Sequence, residues 1–233
     1  IVVSAAVSAP ELFVSLLSGI RGHVSVPLGM LIGSSLANLL LVMGVGAILG
    51  PMPVPPKVVF RDGGVMILAS GALAFLAGRG TIDAPIGVAL LACFLIYIFL
   101  CFLTERRRHV PVPAASAYAM PHDAPPEKSA PAISLLLFLG GLGALFFGAR
   151  FVIDAGLAVA RQNGIPDAVA GLVLIGAAVA LPELGMAIAA AVRRQSQATA
   201  SQLLASSVFN LTFVLGGLAL VTLIVVVVGA VFL

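Results

Sequence analysis

The chain has 233 residues, of which 61% are hydrophobic and only 9% charged, with a mean hydropathy of +1.20. Soluble domains carry about a quarter charged residues, so these proportions exclude a water-soluble globular protein and define an integral membrane protein. The net charge of +3 is small and sits in loops, where it informs orientation in the bilayer and argues against nucleic-acid binding.

The length allows roughly eight spans at about 20 residues each. The chain opens on Ile1 and closes on Phe232-Leu233, both inside apolar runs and with no signal peptide, so a fragment truncated at both ends is expected. Segment A covers residues 1–20 and is interrupted at Pro10; Arg21-Gly22-His23 ends it. Segment B runs from Pro27 to about residue 49, and Pro51, Pro53, Pro55 and Pro56 then stop the chain. A charged turn at Lys57, Arg61 and Asp62 precedes a short segment C, about 63–78, and segment D covers about 84–104. Residues 105–130 change character, with Arg106, Arg107, Arg108, His109 and many prolines; they read as a hydrophilic, flexible connection. Segment E spans about 131–154, with Gly140, Gly141, Gly143 and Gly148 offering close helix contact. Segment F covers about 165–192, segment G about 198–220, and a partial segment H ends the chain.

The two sides of the connection repeat each other. Glu11 and Glu183 are 172 positions apart, and so are Asn38 and Asn210, with no gap between. Pro10 then meets Pro182, Arg21 meets Arg193, and Ser34-Ser35 meets Ser206-Ser207. A to F is an odd number of crossings, so the copies enter the membrane from opposite sides, an inverted-topology repeat. The fold expected is therefore an all-α polytopic membrane protein of two inverted repeats, 1–104 and 131–233, around a loop at 105–130. Lys57, Arg61, Arg106–Arg108, Lys128, Arg193 and Arg194 outnumber Arg21, Arg79, Arg150 and Arg161 on the other side, so the long loop is expected to be cytoplasmic. Segment A then runs outward.

The residues that carry chemistry lie in the repeat. Val7-Ser8-Ala9-Pro10-Glu11 and Val179-Ala180-Leu181-Pro182-Glu183 each place a carboxylate behind a proline in a membrane span. An ionisable group there is costly and points to function. Each proline removes an N–H and crowds the carbonyl four residues earlier, that of Ala6 or Ala178. Ser34 and Asn38 share a helical face, as do Ser206 and Asn210. Gly29 and Gly33 let another backbone approach. Kinks and interhelical packing remain the alternative explanation of these groups. Together, two glutamates, two amides, hydroxyls and freed carbonyls form an oxygen-donor set for a hard cation such as calcium. Histidine and cysteine are absent from it, which argues against zinc or copper. Two carboxylates balance one divalent ion, two sodium ions or two protons, which is the charge equivalence an exchanger needs.

Pro-Glu helices followed by Gly-Ser-x-x-x-Asn helices, twice and inverted, resemble the cation/calcium exchanger superfamily, particularly its bacterial and archaeal sodium/calcium exchangers. Residues 6–16 with 29–38, and 178–183 with 201–210, are similar to its two repeats. The resemblance implies ten helices, of which this chain would lack the first and part of the last. It implies Glu11 and Glu183 as central calcium ligands shared with sodium, with Ser8, Ser34, Asn38, Ser206 and Asn210 lining flanking sites. It further implies main-chain carbonyl ligands at Val7 and Val179. Departures are also visible: Val7 and Val179 replace threonine, Ala180 replaces serine, and Asn210 stands where many members have aspartate. Met30, Gln202, Ser35 and Ser207 replace asparagines of the pattern.

The expectation is a secondary antiporter exchanging calcium for sodium by alternating access, with segments A and F sliding against the bundle. A cation/proton antiporter and a transport-dead truncated homologue are the alternatives. No cofactor is expected beyond the transported ions; the partners are inorganic cations and the bilayer of a bacterial plasma membrane. An intramembrane enzyme is disfavoured, because His23, His109 and His122 all fall in loops. Of the remaining charges, Asp154 is read as a local pair with Arg150, Arg61-Asp62 as a membrane-surface anchor, and the triple arginine as a topology signal.

Overall fold

The computed structural model describes residues 7–23, 25–77, 84–105, 131–192 and 196–231. They form seven helices: α1 Ala9–Ile20, α2 Ser25–Leu49, α3 56–77, α4 Ala84–Glu105, α5 Pro131–Gln162, α6 Asp167–Val192 and α7 196–231. Among the described residues, α2, α4, α5, α6 and α7 are long and apolar enough to cross a membrane. The arginine run, His109, His122, Arg79, Lys128, Arg193 and Arg194 lie outside the described residues.

Local chemistry explains most boundaries. Pro10 sits in the first turn of α1, where its missing N–H breaks no helical bond. Gly22 and Gly164, with φ of 80° and 65°, let the chain leave α1 and α5 in a left-handed conformation that side chains resist. Pro56 opens α3, so Lys57, Arg61 and Asp62 are helical and the expected charged turn is absent. The expected break between segments G and H is absent too. Nothing in that apolar stretch interrupts hydrogen bonding, and α7 runs unbroken from 196 to 231.

Four helices contain a π turn: Asn38–Val42 in α2, Val59–Gly63 in α3, Gly171–Ile175 in α6 and Asn210–Val214 in α7. The turns in α2 and α7 begin on the two asparagines that the repeat superposes. In both, the N–H five residues on bonds to the asparagine carbonyl.

Helix α7 is central. Of its membrane-length apolar window 72% is buried, against 11% for α5, whose Leu135, Leu136, Leu137, Phe147 and Phe151 face outward. Around α7 a continuous apolar core gathers Val14, Met30, Leu31, Phe94, Ile153, Ile175, Leu215 and Leu218. Phe94 packs edge-on against Phe209 with ring centroids 5.5 Å apart.

The packing crosses between the repeats, α2 lying on α6 and α1 on α7. Gly29, Gly33, Gly171 and Gly176 bring α2 and α6 into backbone contact. A Cβ at Gly33 would lie 1.9 Å from the Leu172 carbonyl oxygen, and one at Gly29 2.1 Å from that of Ala168. This interlock makes α2 and the first half of α6 one block, whereas the expectation has segments A and F slide against a bundle that includes segment B. The glycines of α5 behave otherwise. At Gly140, Gly141, Gly143 and Gly148 an added Cβ would meet nothing within 4 Å, so the expected close contact there is not made among the described residues.

Candidate cation site

The site forms where the Pro-Glu helix of each repeat meets the asparagine π turn of the other. The Asn210–Val214 turn packs against α1, and the Asn38–Val42 turn against the Leu181–Val192 part of α6. Helix α1 begins, and α6 re-initiates, at matched positions. Ser8 and Ala180 adopt turn conformations, and their carbonyls accept the N–H groups of Leu12 and Leu184, each at 3.1 Å. The Ala180 N–H points to the Ala178 carbonyl, so this oxygen is not left wholly free at the break; Ala6 lies outside the described residues.

Glu11 and Glu183 are both fully buried and lie beside one another, close enough to interact electrostatically. Asn210 Nδ2 donates to Glu11 Oε1 at 3.4 Å. Among the described residues, the other Glu11 oxygen and both oxygens of Glu183 have no hydrogen-bond partner. Asn38 is likewise buried with neither side-chain atom paired, as is Asn210 Oδ1. The hydroxyls of Ser8 and Ser206 meet at 2.5 Å across the repeats. Ser34, buried nearby, makes only a 3.4 Å bond to the Leu31 carbonyl in its own helix. Val179 is buried and Val7 half-buried, each one residue before a break.

Carboxylates buried without donors are costly, because their charge has lost water and found nothing in exchange. Here Glu11 adjoins both Glu183 and Asn210, and most of the unpaired atoms on these residues and Asn38 are acceptors. That is the arrangement a hard cation satisfies, with carboxylate and amide oxygens replacing its hydration shell.

The π turns are absent from the sequence expectations, because they have no compositional signature. So are Ser15 and Ser18 of α1, although their spacing from Glu11 marks them as residues of its face. Asp62 departs from its expected place. It is 1% exposed and paired at 2.6 Å with Arg61, which is a quarter exposed and lies 5.9 Å from the ring centre of Tyr97, so the carboxylate is packed inside the protein and not presented as a surface anchor. Asp154 does approach Arg150, at 3.6 Å, but its shorter bond, 2.7 Å, is to Arg21 on α1's end.

Two inverted helical repeats that cross at a pair of buried carboxylates are an architecture shared by many secondary transporters. The chain belongs to the sodium/calcium exchanger protein family, which matches residues 1–103 and 133–232. It is 28% identical to the inner membrane protein YrbG of Escherichia coli over 222 residues, covering 95% of this chain and 68% of that protein. To the putative antiporter CaxA of Alkalimonas amylolytica it is 27% identical, covering 90% and 65%. The chain thus spans about two thirds of the length of these relatives. Among solved structures, the H+/Ca2+ exchanger CAX shares the fold with a TM-score of 0.74 at 19% identity, over 96% of this chain and 59% of that one. The sodium-calcium exchanger NCX_Mj shares it with a TM-score of 0.59 at 22% identity, over 99% and 75%.

Proposed function

We propose that this chain forms the ion-translocating part of a cation antiporter that carries calcium by alternating access, with sodium as the exchanged ion. The observation that carries this reading is the pair of neighbouring, fully buried glutamates on inverted helices, with three of four carboxylate oxygens unpaired. Glu11 and Glu183 are the central ligands of the transported ion. Asn38 and Asn210 supply amide oxygens, Ser8, Ser34 and Ser206 hydroxyls, and Val7 and Val179 main-chain carbonyls. Loaded, the site is close to neutral; empty, it holds two unbalanced anions that resist transfer through a low-dielectric interior. That difference couples outward and inward movement. The repeats 1–104 and 131–233 act as the two half-sites, and the loop between them faces the cytoplasm of a bacterial plasma membrane. Because α2 and α6 are interlocked, switching moves them together against the rest of the bundle.

A second reading, exchange of calcium for protons, is supported by a specific observation. Ala180 stands where the family pattern has a serine that sodium would use, and Val7 and Val179 offer only main-chain carbonyls, while the carboxylates that can take protons remain. Calcium-45 uptake into proteoliposomes under imposed sodium or proton gradients distinguishes the two. Uptake driven by neither gradient, with Glu11→Gln behaving as wild type, would overturn both.

A further inference from the structure

Helix α1 carries a polar line that its counterpart lacks. Ser8, Glu11, Ser15 and Ser18 recur at spacings of three and four, so they stand on one helical face, and all four are fully buried. Among the described residues, the hydroxyls of Ser15 and Ser18 have no hydrogen-bond partner. A helical serine or threonine can always donate to the carbonyl four residues back. Ser35, Thr212 and Thr222 do so here at 2.8, 2.6 and 2.9 Å, and Ser15 and Ser18 do not. Their hydroxyls are thus buried and unpaired on the helical face that carries Glu11.

In the second repeat the same positions are Ala180, Ala187 and Ala190, so Glu183 stands alone on an alanine face. At 1.5 Å per residue, Ser18 lies about 10 Å along the axis from Glu11 and Arg21 about 15 Å. The second distance is half of a hydrocarbon core of about 30 Å, so with Glu11 at mid-membrane, as the proposed site requires, the line reaches one interface. At that interface Arg21, His23, Asp154, Leu157, Ala158 and Arg161 line an open pocket of about 300 Å³. Two of the three basic groups there meet acids: Arg21 bonds Asp154 at 2.7 Å, and His23 contacts Asp167 at 3.2 Å.

We propose that the Ser15–Ser18 face of α1 is the hydrated access route between the Arg21 end of the molecule and the glutamate pair. The alanine face of α6 offers no equivalent. The serine hydroxyls replace hydration for a cation in transit without binding it tightly enough to stop it. The route rests on reading Glu11 and Glu183 as the cation site, but its test does not require transport.

The test starts from a Cys93→Ala, Cys101→Ala background, which removes both native thiols. Single variants Ser15→Cys, Ser18→Cys, Ala187→Cys and Ala190→Cys are exposed to a membrane-impermeant cationic methanethiosulfonate in right-side-out and inside-out vesicles. Ser18→Cys and Ser15→Cys are expected to react from one vesicle orientation only, at least about tenfold faster than the two α6 variants, with calcium slowing Ser15→Cys. Should one serine variant fail to elute as a folded species, the other decides the result. Inert thiols at 15 and 18, or four thiols reacting alike, would overturn the route. Absence of calcium uptake by the wild type would overturn the antiporter reading while leaving the labelling result to stand or fall by itself.

Discussion

The two repeats share a backbone plan but not a chemistry. In the first, Ser8 finds Ser206 at 2.5 Å and Glu11 finds Asn210 at 3.4 Å. The same two contacts drawn in the second repeat would join Ala180 to Ser34 and Glu183 to Asn38. Alanine has no hydroxyl to offer, and the Ser34 hydroxyl keeps to its own helix. Glu183 and Asn38 leave all four of their side-chain polar atoms unpaired. Symmetry of fold therefore coexists with a held half-site around Glu11 and an open one around Glu183. The open half is where an arriving ion gains most, because nothing there must first be displaced.

The strongest way to break this comparison is to remove each charge in turn. Glu11→Gln and Glu183→Gln are both expected to cost about 3 kcal/mol of ion stabilisation, roughly a hundredfold in the initial rate of calcium-45 uptake. Glu183→Gln is expected to be the worse of the two, and equal losses would argue that the halves are equivalent. The glycine interlock is also one-sided, since the position matching Gly33 is Ala205. Gly33→Ala is expected to destabilise by about 1–3 kcal/mol, because the nearest atom is backbone and cannot yield. Ala205→Gly should cost less than about 1 kcal/mol. Thermal unfolding of the detergent-purified variants, followed by circular dichroism, checks the pair.

Restoring symmetry is a subtler intervention. Ala180→Ser gives the second half-site the hydroxyl oxygen that Ser8 gives the first, and one added contact to the ion of about 1 kcal/mol corresponds to roughly fivefold tighter binding. Isothermal titration with calcium and with sodium reads which ion gains. Asn210→Asp in the same titration adds a carboxylate against Glu11 and should strengthen calcium binding. The smallest effects belong where the repeats agree. Ser35 and Ser207 bond to Leu31 and Leu203 carbonyls at 2.8 and 3.0 Å, so Ser35→Ala and Ser207→Ala should each change stability by less than about 0.5 kcal/mol.

Much of this architecture is legible in the sequence, for a physical reason. Carboxylates, amides and prolines are so costly in a membrane span that their recurrence at one offset has few explanations. Helix α1, the inverted order and the encounter of Glu11 with Glu183 all stem from that. The illegible part depends on where a helix points. Gly33 and Gly143 are the same residue type in equally apolar helices, yet one meets a carbonyl and the other open space. Asp62 escapes the sequence for a related reason. The Val59–Gly63 π turn adds a residue to the helical cycle and rotates the remainder of α3 by about 100° relative to a regular α-helix. Serine at 15 or 18 is polar enough to notice, but not costly enough to stand out without knowing its surroundings.

The π turns have a consequence for assembly. In α2 the residues before Asn38 must mesh with α6 through Gly29 and Gly33, while Val42 and Met43 beyond it must seat beside Leu184 and Ala187. A helix of uniform pitch has one phase along its whole length and can be set for only one of these neighbours. The wide turn acts as a phase joint, letting the two ends of one rod be clocked separately. Helix α7 uses the same device at Asn210, with Ser206 set against Ser8 on one side of it and Leu218 against Gly19 on the other. Deleting one residue from either turn would leave a regular helix with its two ends out of step.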